Sequence, residues 1–378
     1  MIKQLIIGER CGAVQACVLE DGQPVELLSG SPEKPQINGN ICLGRVKNLS
    51  PGLEAAFIDI GLEKNAMLSG EELKRLHLRR EQEIIVQITK LPGGDKGVVV
   101  SADIKLAGRF CVLMPYSDSV GVSKRVDDET EEARLRQIAA EIKPPGMGII
   151  LRTDAKGRAK EELSEDVSRL LDEWESILQR ADHLTAPALL RDESGITYKA
   201  ARDIFCEDFK EVVFSSKMLY NSFMEHARLF TPDLADRIRL IEASDVFTVY
   251  RLNDRLAEAQ KRTVRLKCGG FIVIDRTEAM TVIDVNSGKC ISEKDARATI
   301  SKVNSEAARE IVRQLRLRDI GGIIVVDFIN MNDKADRQAL LDELGVLAKA
   351  DRNRLRIVDI TPLNLVEMTR KRKNESTN

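Results

Sequence analysis

Histidine is nearly missing from this chain of 378 residues. His77, His183 and His226 stand far apart, so histidine acid–base chemistry of the kind that cuts RNA without a metal has no residues to use. A C-x-x-C spacing is missing too. The seven cysteines (Cys11, Cys17, Cys42, Cys111, Cys206, Cys268 and Cys290) are odd in number and scattered, which argues against a disulfide framework and against a closed zinc site. Reduced thiols are expected. No apolar run reaches the roughly 18 residues of a membrane span, and "MIKQLIIGERCGAV" lacks the long apolar core and small-residue cleavage site of a secretory signal. A cytoplasmic protein with no membrane span is therefore expected. Nor is there an excess of charge: the formal net charge is −2, so any surface for a polyanion has to be local.

What is present is ordinary globular composition, 43% hydrophobic and 31% charged, at a length that implies about two to four domains. "KQLIIG" and "AVQACVLEDGQPVELL" read as strands, with Asp21-Gly22 as a hairpin turn. "ICLGRVKNL", "LEAAFIDIG", "NAMLS", "IIVQITKL" and "KGVVVSA" are five short strands, the signature of a small barrel. "LAGRFCVLMPYSDSVGVSKRV" is again β-like, "DETEEARLRQIAAEI" is helical, and the strand "MGIILRT" leads into the turn "DAKG". A helix over about 161–180 carries Leu163, Val167, Leu170, Leu171, Trp174 and Leu178 as a core stripe. Farther on, "GITYKA" and "EVVFSS" read as strands, and "ADRIRLI" and "VYRLNDRLAEAQ" as helices. The last third alternates: strands in "GGFIVIDRTEAMTVIDV", a helix over about 292–318, strand "IIVVDF", a helix over about 336–350 and strand "RLRIVDITP" imply a sheet backed by helices. The tail "RKRKNESTN" reads as frayed.

Two strands end alike. "TVIDVNSGKC" delivers Asp284 into an Asn-Ser-Gly turn, and "GGIIVVDFINM" delivers Asp327 into a turn containing asparagine. Functional side chains gather at the carboxyl ends of strands in such sheets. The helix between the two strands opens with a Ser292-x-x-Asp295 capping pattern and carries Ile300, Val303, Ala307, Ile311 and Leu315, a stripe that would lie on the sheet and bring the strands side by side. Converging carboxylates with no histidine or cysteine nearby suit a hard cation such as Mg²⁺. Metal-assisted phosphodiester hydrolysis follows from that, with Asn286 as a hydrogen-bonding companion and Lys289 as a phosphate contact. Aspartates at such junctions are also ordinary helix caps or Asx-turns, and the pattern alone leaves both readings open.

Together, "TVIDVNSGK", "NSEAAREIVRQLRLRDIGGIIVVDFINM" and "LVEMTRKR" resemble the catalytic region of the ribonuclease E/G family of bacterial endoribonucleases, over about residues 1–373. The resemblance implies a mixed α/β multidomain fold. An RNase H-like subdomain (1–36 and 185–262) would be interrupted by an S1 barrel of the OB-fold type (37–104) and a 5′-sensor region (105–184), with a DNase I-like catalytic domain at 263–378. It implies a catalytic Mg²⁺, with Mn²⁺ as a possible substitute, on Asp284 and Asp327, beside Asn286. For the barrel it implies RNA contacts among Phe57, Arg45, Lys47, Lys90 and Lys96, although Met67 stands where a second aromatic is usual and "VVVSA" replaces a more basic ending. Phe57 read by itself is a barrel-core residue. For the 5′-sensor, "LAGRFCVLMP" and "IILRT" carry Gly108 and Val112 as backbone contacts to a terminal phosphate and Arg152 and Thr153 as its side-chain ligands, with Arg125 and Arg354 as weaker additions. Arg152 read by itself is a surface ion pair with Asp154 or a helix carboxylate.

Family members commonly carry a C-x-x-C zinc-sharing element after the catalytic region. Without one before Asn378, a zinc-linked tetramer is not expected and a homodimer through other surfaces stays open. The expected function is Mg²⁺-dependent endonucleolytic hydrolysis of single-stranded RNA, stimulated by a 5′-monophosphate and leaving 5′-phosphate and 3′-hydroxyl ends, in rRNA processing and mRNA decay. Two other readings compete: an RNA-binding scaffold with weak or lost turnover, and cleavage of DNA.

Overall fold

Two tight turns open the chain. Cys11-Gly12 (φ 52 and 74) and Asp21-Gly22 (φ 47 and 72) hold left-handed backbone, which two-residue hairpin turns require, although only the second pair was legible as a turn. They join the strands Lys3–Arg10, Ala13–Glu20 and Gln23–Ser29 into an antiparallel sheet. Phe209–Phe214 adds parallel to the first strand, and Ile238–Leu240 forms the edge. The computed structural model describes residues 1–30, 37–91, 97–126, 128–193, 195–290 and 296–371. Within it the chain forms two units, one from residues 1–29, 208–217 and 239–371, the other from 30–207 and 218–238.

In the first unit, Ile6, Cys17, Leu19 and Val213 pack with Val246, Phe247, Leu252 and Leu256. The last four lie on two short helices, Val246–Val249 and Leu252–Ala259; the second is the body of the helix expected in "VYRLNDRLAEAQ", and Arg251 (φ 51) separates it from the first. "ADRIRLI", expected as a helix, is instead a 3₁₀ turn, Pro232–Arg237, followed by the short strand Ile238–Leu240.

A second, six-stranded sheet of this unit runs in the order Thr263–Arg265, Phe271–Arg276, Met280–Asn286, Gly322–Asp327, Leu365–Arg370 and Arg356–Ile360. The helices Ala296–Leu317 and Lys334–Lys349 cover one face. Val303, Ala307, Ile311, Leu315, Leu340 and Leu344 there meet Ile272, Ile283, Val285, Ile324, Val326 and Met368 of the strands. Ile300 is only half-buried, and the Ser292-x-x-Asp295 pattern lies outside the described residues. Strand alternation turns Met280, Val282 and Asp284, and Ile323 and Asp327, to the other face, where they are exposed.

The second unit contains the barrel. Ile41–Ser50, Ala55–Asp59, Ala66–Ser69, Val99–Ser101 and Glu83–Lys90 pair in that order, and pairing of the last with the first closes the ring around Val46, Ile58, Leu68, Val86 and Val100. Closure leaves few free edges, and the strand Ala188–Arg191 adds to the first barrel strand. Beside it, Val120–Val122, Gly148–Leu151, Cys111–Met114 and Leu106–Ala107 form a four-stranded sheet. Two helices flank that sheet in sequence, Glu129–Ile142, capped by the Asp128 side chain, and Lys160–His183.

The second of these helices buries Leu163, Val167, Leu170, Trp174 and Ile177. Leu178, expected in the stripe, is exposed because Ile177 takes the core position. Trp174 is a core residue, edge-on to Tyr116. "GITYKA" is a helix, Ile196–Asp203, not a strand; Thr197, Ala200 and Ala201 bury one face at helical spacing, and that outweighs the β-propensity of isoleucine, threonine and tyrosine.

Candidate functional site

The strands Met280–Asn286 and Gly322–Asp327 run parallel in a register that makes Asp284 and Asp327 direct partners. Neighbouring strands lie about 4.8 Å apart, so the two exposed carboxylates stand side by side on the uncovered face at the carboxyl ends of both strands. The buried neighbours Val285 and Val326 anchor each strand from the opposite face. Asn286, two residues beyond Asp284 and therefore on the same face, donates from Nδ2 to Asp284 Oδ2 at 2.6 Å. Lys289 is exposed in the turn that follows. Gly288 (φ 53) lets this turn close, since a Cβ there would stand 2.5 Å from the Gly269 carbonyl. Among the described residues no three His, Cys, Asp or Glu side chains gather as metal ligands. Two carboxylates and an amide are what this place offers, an oxygen-only set that suits Mg²⁺ holding several of its waters.

In the other unit, residues of the "LAGRF" and "IILRT" segments come together. Arg152 is half-buried: Nη1 donates to the Gly108 carbonyl at 2.6 Å and Nη2 to Asp203 at 2.9 Å. Asp203 belongs to the helix Ile196–Asp203, so the pairing is with a helix carboxylate rather than with Asp154. Burial by itself would raise the Asp203 pKa, but the guanidiniums of Arg202 and Arg152 bring it down to about 2. The Thr153 hydroxyl lies 3.2 Å from that of Ser123. Gly108 donates its N–H to the Cys111 carbonyl, and Val112 sits in the ladder between Ala107 and Ile150.

The loop itself is held from beneath. Asp166, 2% exposed, accepts from the backbone N–H groups of Arg109, Phe110 and Cys111. A Cβ on Gly108 would stand 2.6 Å from Asp166 Oδ2 and 3.0 Å from Leu170. Gly108→Ala is therefore expected to cost about 1–3 kcal/mol of stability, read as a lowered urea midpoint; an unchanged midpoint would show that the loop tolerates a side chain.

On the barrel, Phe57 is half-buried and outside the core cluster, facing outward beside its cross-strand partners Asn48 and Met67. The core reading of Phe57 is thus set aside. Arg45 pairs with Glu83 at 2.8 Å and Lys47 with Glu81 at 3.7 Å. The Arg45 hydrogen bond, with one from the Ala186 N–H, holds Glu83 below the usual carboxylate range. Lys90 is exposed at the end of its strand, and Lys96 lies outside the described residues. Arg125 is exposed, its N–H donating to the Ser123 hydroxyl. Arg354 (φ 55) belongs to the first unit, in the turn before Arg356–Ile360.

Sequence reasoning missed Asp166, Asp203 and Ser123. For Asp166 there was a signal: a carboxylate three residues from Leu163 and four from Leu170, inside the apolar stripe of its helix.

The sequence model of the ribonuclease E/G family matches residues 105–373. Ribonuclease E of Nostoc sp. is 38% identical, covering all of this chain and 56% of the relative. Ribonuclease E of Synechocystis sp. is 36% identical, covering all of this chain and 58% of the relative. Ribonuclease G of Salmonella typhimurium is 33% identical, with coverages of 100% and 81%. The chain thus spans a little over half the length of the two ribonuclease E relatives and about four fifths of the ribonuclease G relative. By the family match and by similarity along its whole length, the chain belongs to the ribonuclease E/G family.

Proposed function

We propose that this protein is a Mg²⁺-dependent endoribonuclease that hydrolyses single-stranded RNA and is stimulated by a 5′-monophosphate, with a role in RNA processing and decay. The observation that carries the proposal is the in-register pairing of Asp284 with Asp327 on the uncovered face of the sheet. The relatives' names supply the substrate class. Asp284 and Asp327 would hold the cation, which when bound supplies charge neutralisation at the phosphodiester and a more acidic water. Asn286 fixes the rotamer of Asp284 and keeps one carboxylate oxygen hydrogen-bonded. Lys289 adds positive charge for a phosphate.

Arg152 and Thr153 offer a guanidinium and a hydroxyl to a terminal phosphate, and Asp203 orients the guanidinium. Phe57 offers a stacking face on the barrel, with Met67 as a soft, polarizable neighbour. The RNase H-like and DNase I-like assignments and the five segment boundaries stand as part of this proposal, as does a homodimer. Internal cutting of labelled single-stranded RNA by the wild-type chain with Mg²⁺ is expected; RNA left uncut under every metal tried would favour the scaffold reading, and equal cutting of the matching DNA would remove the RNA specificity.

Stacking is worth about 1–3 kcal/mol per base. Phe57→Ala is therefore expected to weaken binding of a single-stranded RNA about 5- to 150-fold in fluorescence anisotropy with EDTA, and Met67→Phe to tighten it. If neither change moves the affinity, the outward face around Phe57 is not where bases stack.

A further inference from the structure

The helix Ala296–Leu317 turns an apolar stripe to the sheet, yet one of the residues on that stripe is Asn304, only 1% exposed. Burying an amide is costly unless both its donor and its acceptor are satisfied. Here a single residue satisfies both: Asn304 Nδ2 donates to the Ile329 carbonyl at 2.8 Å, and the Ile329 N–H donates to Asn304 Oδ1 at 3.0 Å. Ile329 lies two residues beyond Asp327. The side chain thus acts as one more rung of a ladder, clamping the backbone at the point where the strand Gly322–Asp327 has ended. On one side of Asp327, Val326 is buried in the core; on the other, Phe328 is buried and Ile329 is clamped. The backbone that carries this carboxylate is fixed at both ends, while the carboxylate itself stays exposed.

The same helix holds the other half of the site. Glu306, two residues along, accepts from the backbone N–H groups of Lys267 and Cys268. The turn they belong to receives the Lys289 N–H on the Gly269 carbonyl, and so supports the turn that follows Asn286.

We infer that Asn304 is a positioning residue for Asp327, setting the spacing of the two carboxylates and thereby their affinity for a divalent cation. This rests on the reading of Asp284 and Asp327 as cation ligands. The test titrates Mn²⁺ alone into the RNA-free protein, followed by electron paramagnetic resonance, for wild type, Asn304→Leu, Asn304→Asp, Asp327→Asn and Arg309→Ala. Arg309 lies on the same helix, exposed and paired with Glu343, and its substitution controls for the helix itself.

Loss of a group that orients a ligand lowers metal affinity by about 10-fold or more. Asn304→Leu is expected to show that loss. Asn304→Asp keeps the size and the acceptor but not the donor, so it is expected to lose affinity too and to report even if the leucine variant does not fold. Arg309→Ala keeps the wild-type value. Wild-type Mn²⁺ affinity in the Asn304 variants, whatever happens to their melting temperature, overturns the positioning role while Asp327→Asn still abolishes binding. Mn²⁺ binding that survives Asp327→Asn overturns the carboxylate site, and the role of Asn304 with it.

Discussion

Asp327→Asn, and equally Asp284→Asn, is expected to give a folded protein that binds single-stranded RNA as wild type does and cuts it at least about 10³-fold more slowly. The fold is indifferent to the change because both side chains stand on the uncovered face, while the strands are held from behind by Val285, Val326 and Phe328. Asparagine keeps the shape and removes the charge. Without a bound cation, two neighbouring carboxylates repel each other, so the melting temperature of either variant in EDTA is expected to match or slightly exceed that of wild type. A loss of cleavage accompanied by a large drop in melting temperature would point to a structural role instead.

Arg152→Ala carries the second large effect. Charge-assisted hydrogen bonds are worth about 1.5–3 kcal/mol each, so the preference for a 5′-monophosphorylated RNA over its 5′-hydroxyl counterpart is expected to fall by about 10- to 150-fold, toward no preference. Cleavage of the 5′-hydroxyl substrate stays at the wild-type level. Arg152→Lys restores little, because an ammonium cannot divide itself between the Gly108 carbonyl, Asp203 and a phosphate as a planar guanidinium does. The fold tolerates the loss, since Asp203 keeps its ion pair with Arg202. Equal loss on both substrates would mean that Arg152 serves the protein as a whole and not a terminal phosphate.

The alternating strand and helix signals of the last third were strong enough to place Asp284 and Asp327 on strand ends, and the barrel announced itself through five short, regularly punctuated strands. Register was not legible. That Asp284 faces Asp327, and not a residue one position away on the covered face, comes from a side-chain period of two enforced by the helices behind the sheet. Between 195 and 260 the strand read at "EVVFSS" and the helix read in "VYRLNDRLAEAQ" are present as Phe209–Phe214 and Leu252–Ala259, whereas "GITYKA" and "ADRIRLI" were misread. In "GITYKA", a β-rich composition masked helical spacing that becomes visible only when Ala201 and Ile204 are included. Supporting polar residues were the least legible, since Asp166, Asp203 and Asn304 act on backbone or side chains distant in sequence. A polar residue inside an apolar stripe was the one local sign.

The proposed role of Asp284 and Asp327 is to make this chain a metal-dependent endoribonuclease. It is tested most directly by incubating the purified wild-type chain with a 5′-monophosphorylated, internally labelled single-stranded RNA, with Mg²⁺ or with EDTA, and identifying the ends of the products. Internal cutting with Mg²⁺, none with EDTA, and products bearing 5′-phosphate and 3′-hydroxyl ends are predicted. Cutting that persists in EDTA, or products ending in a 2′,3′-cyclic phosphate, would contradict it.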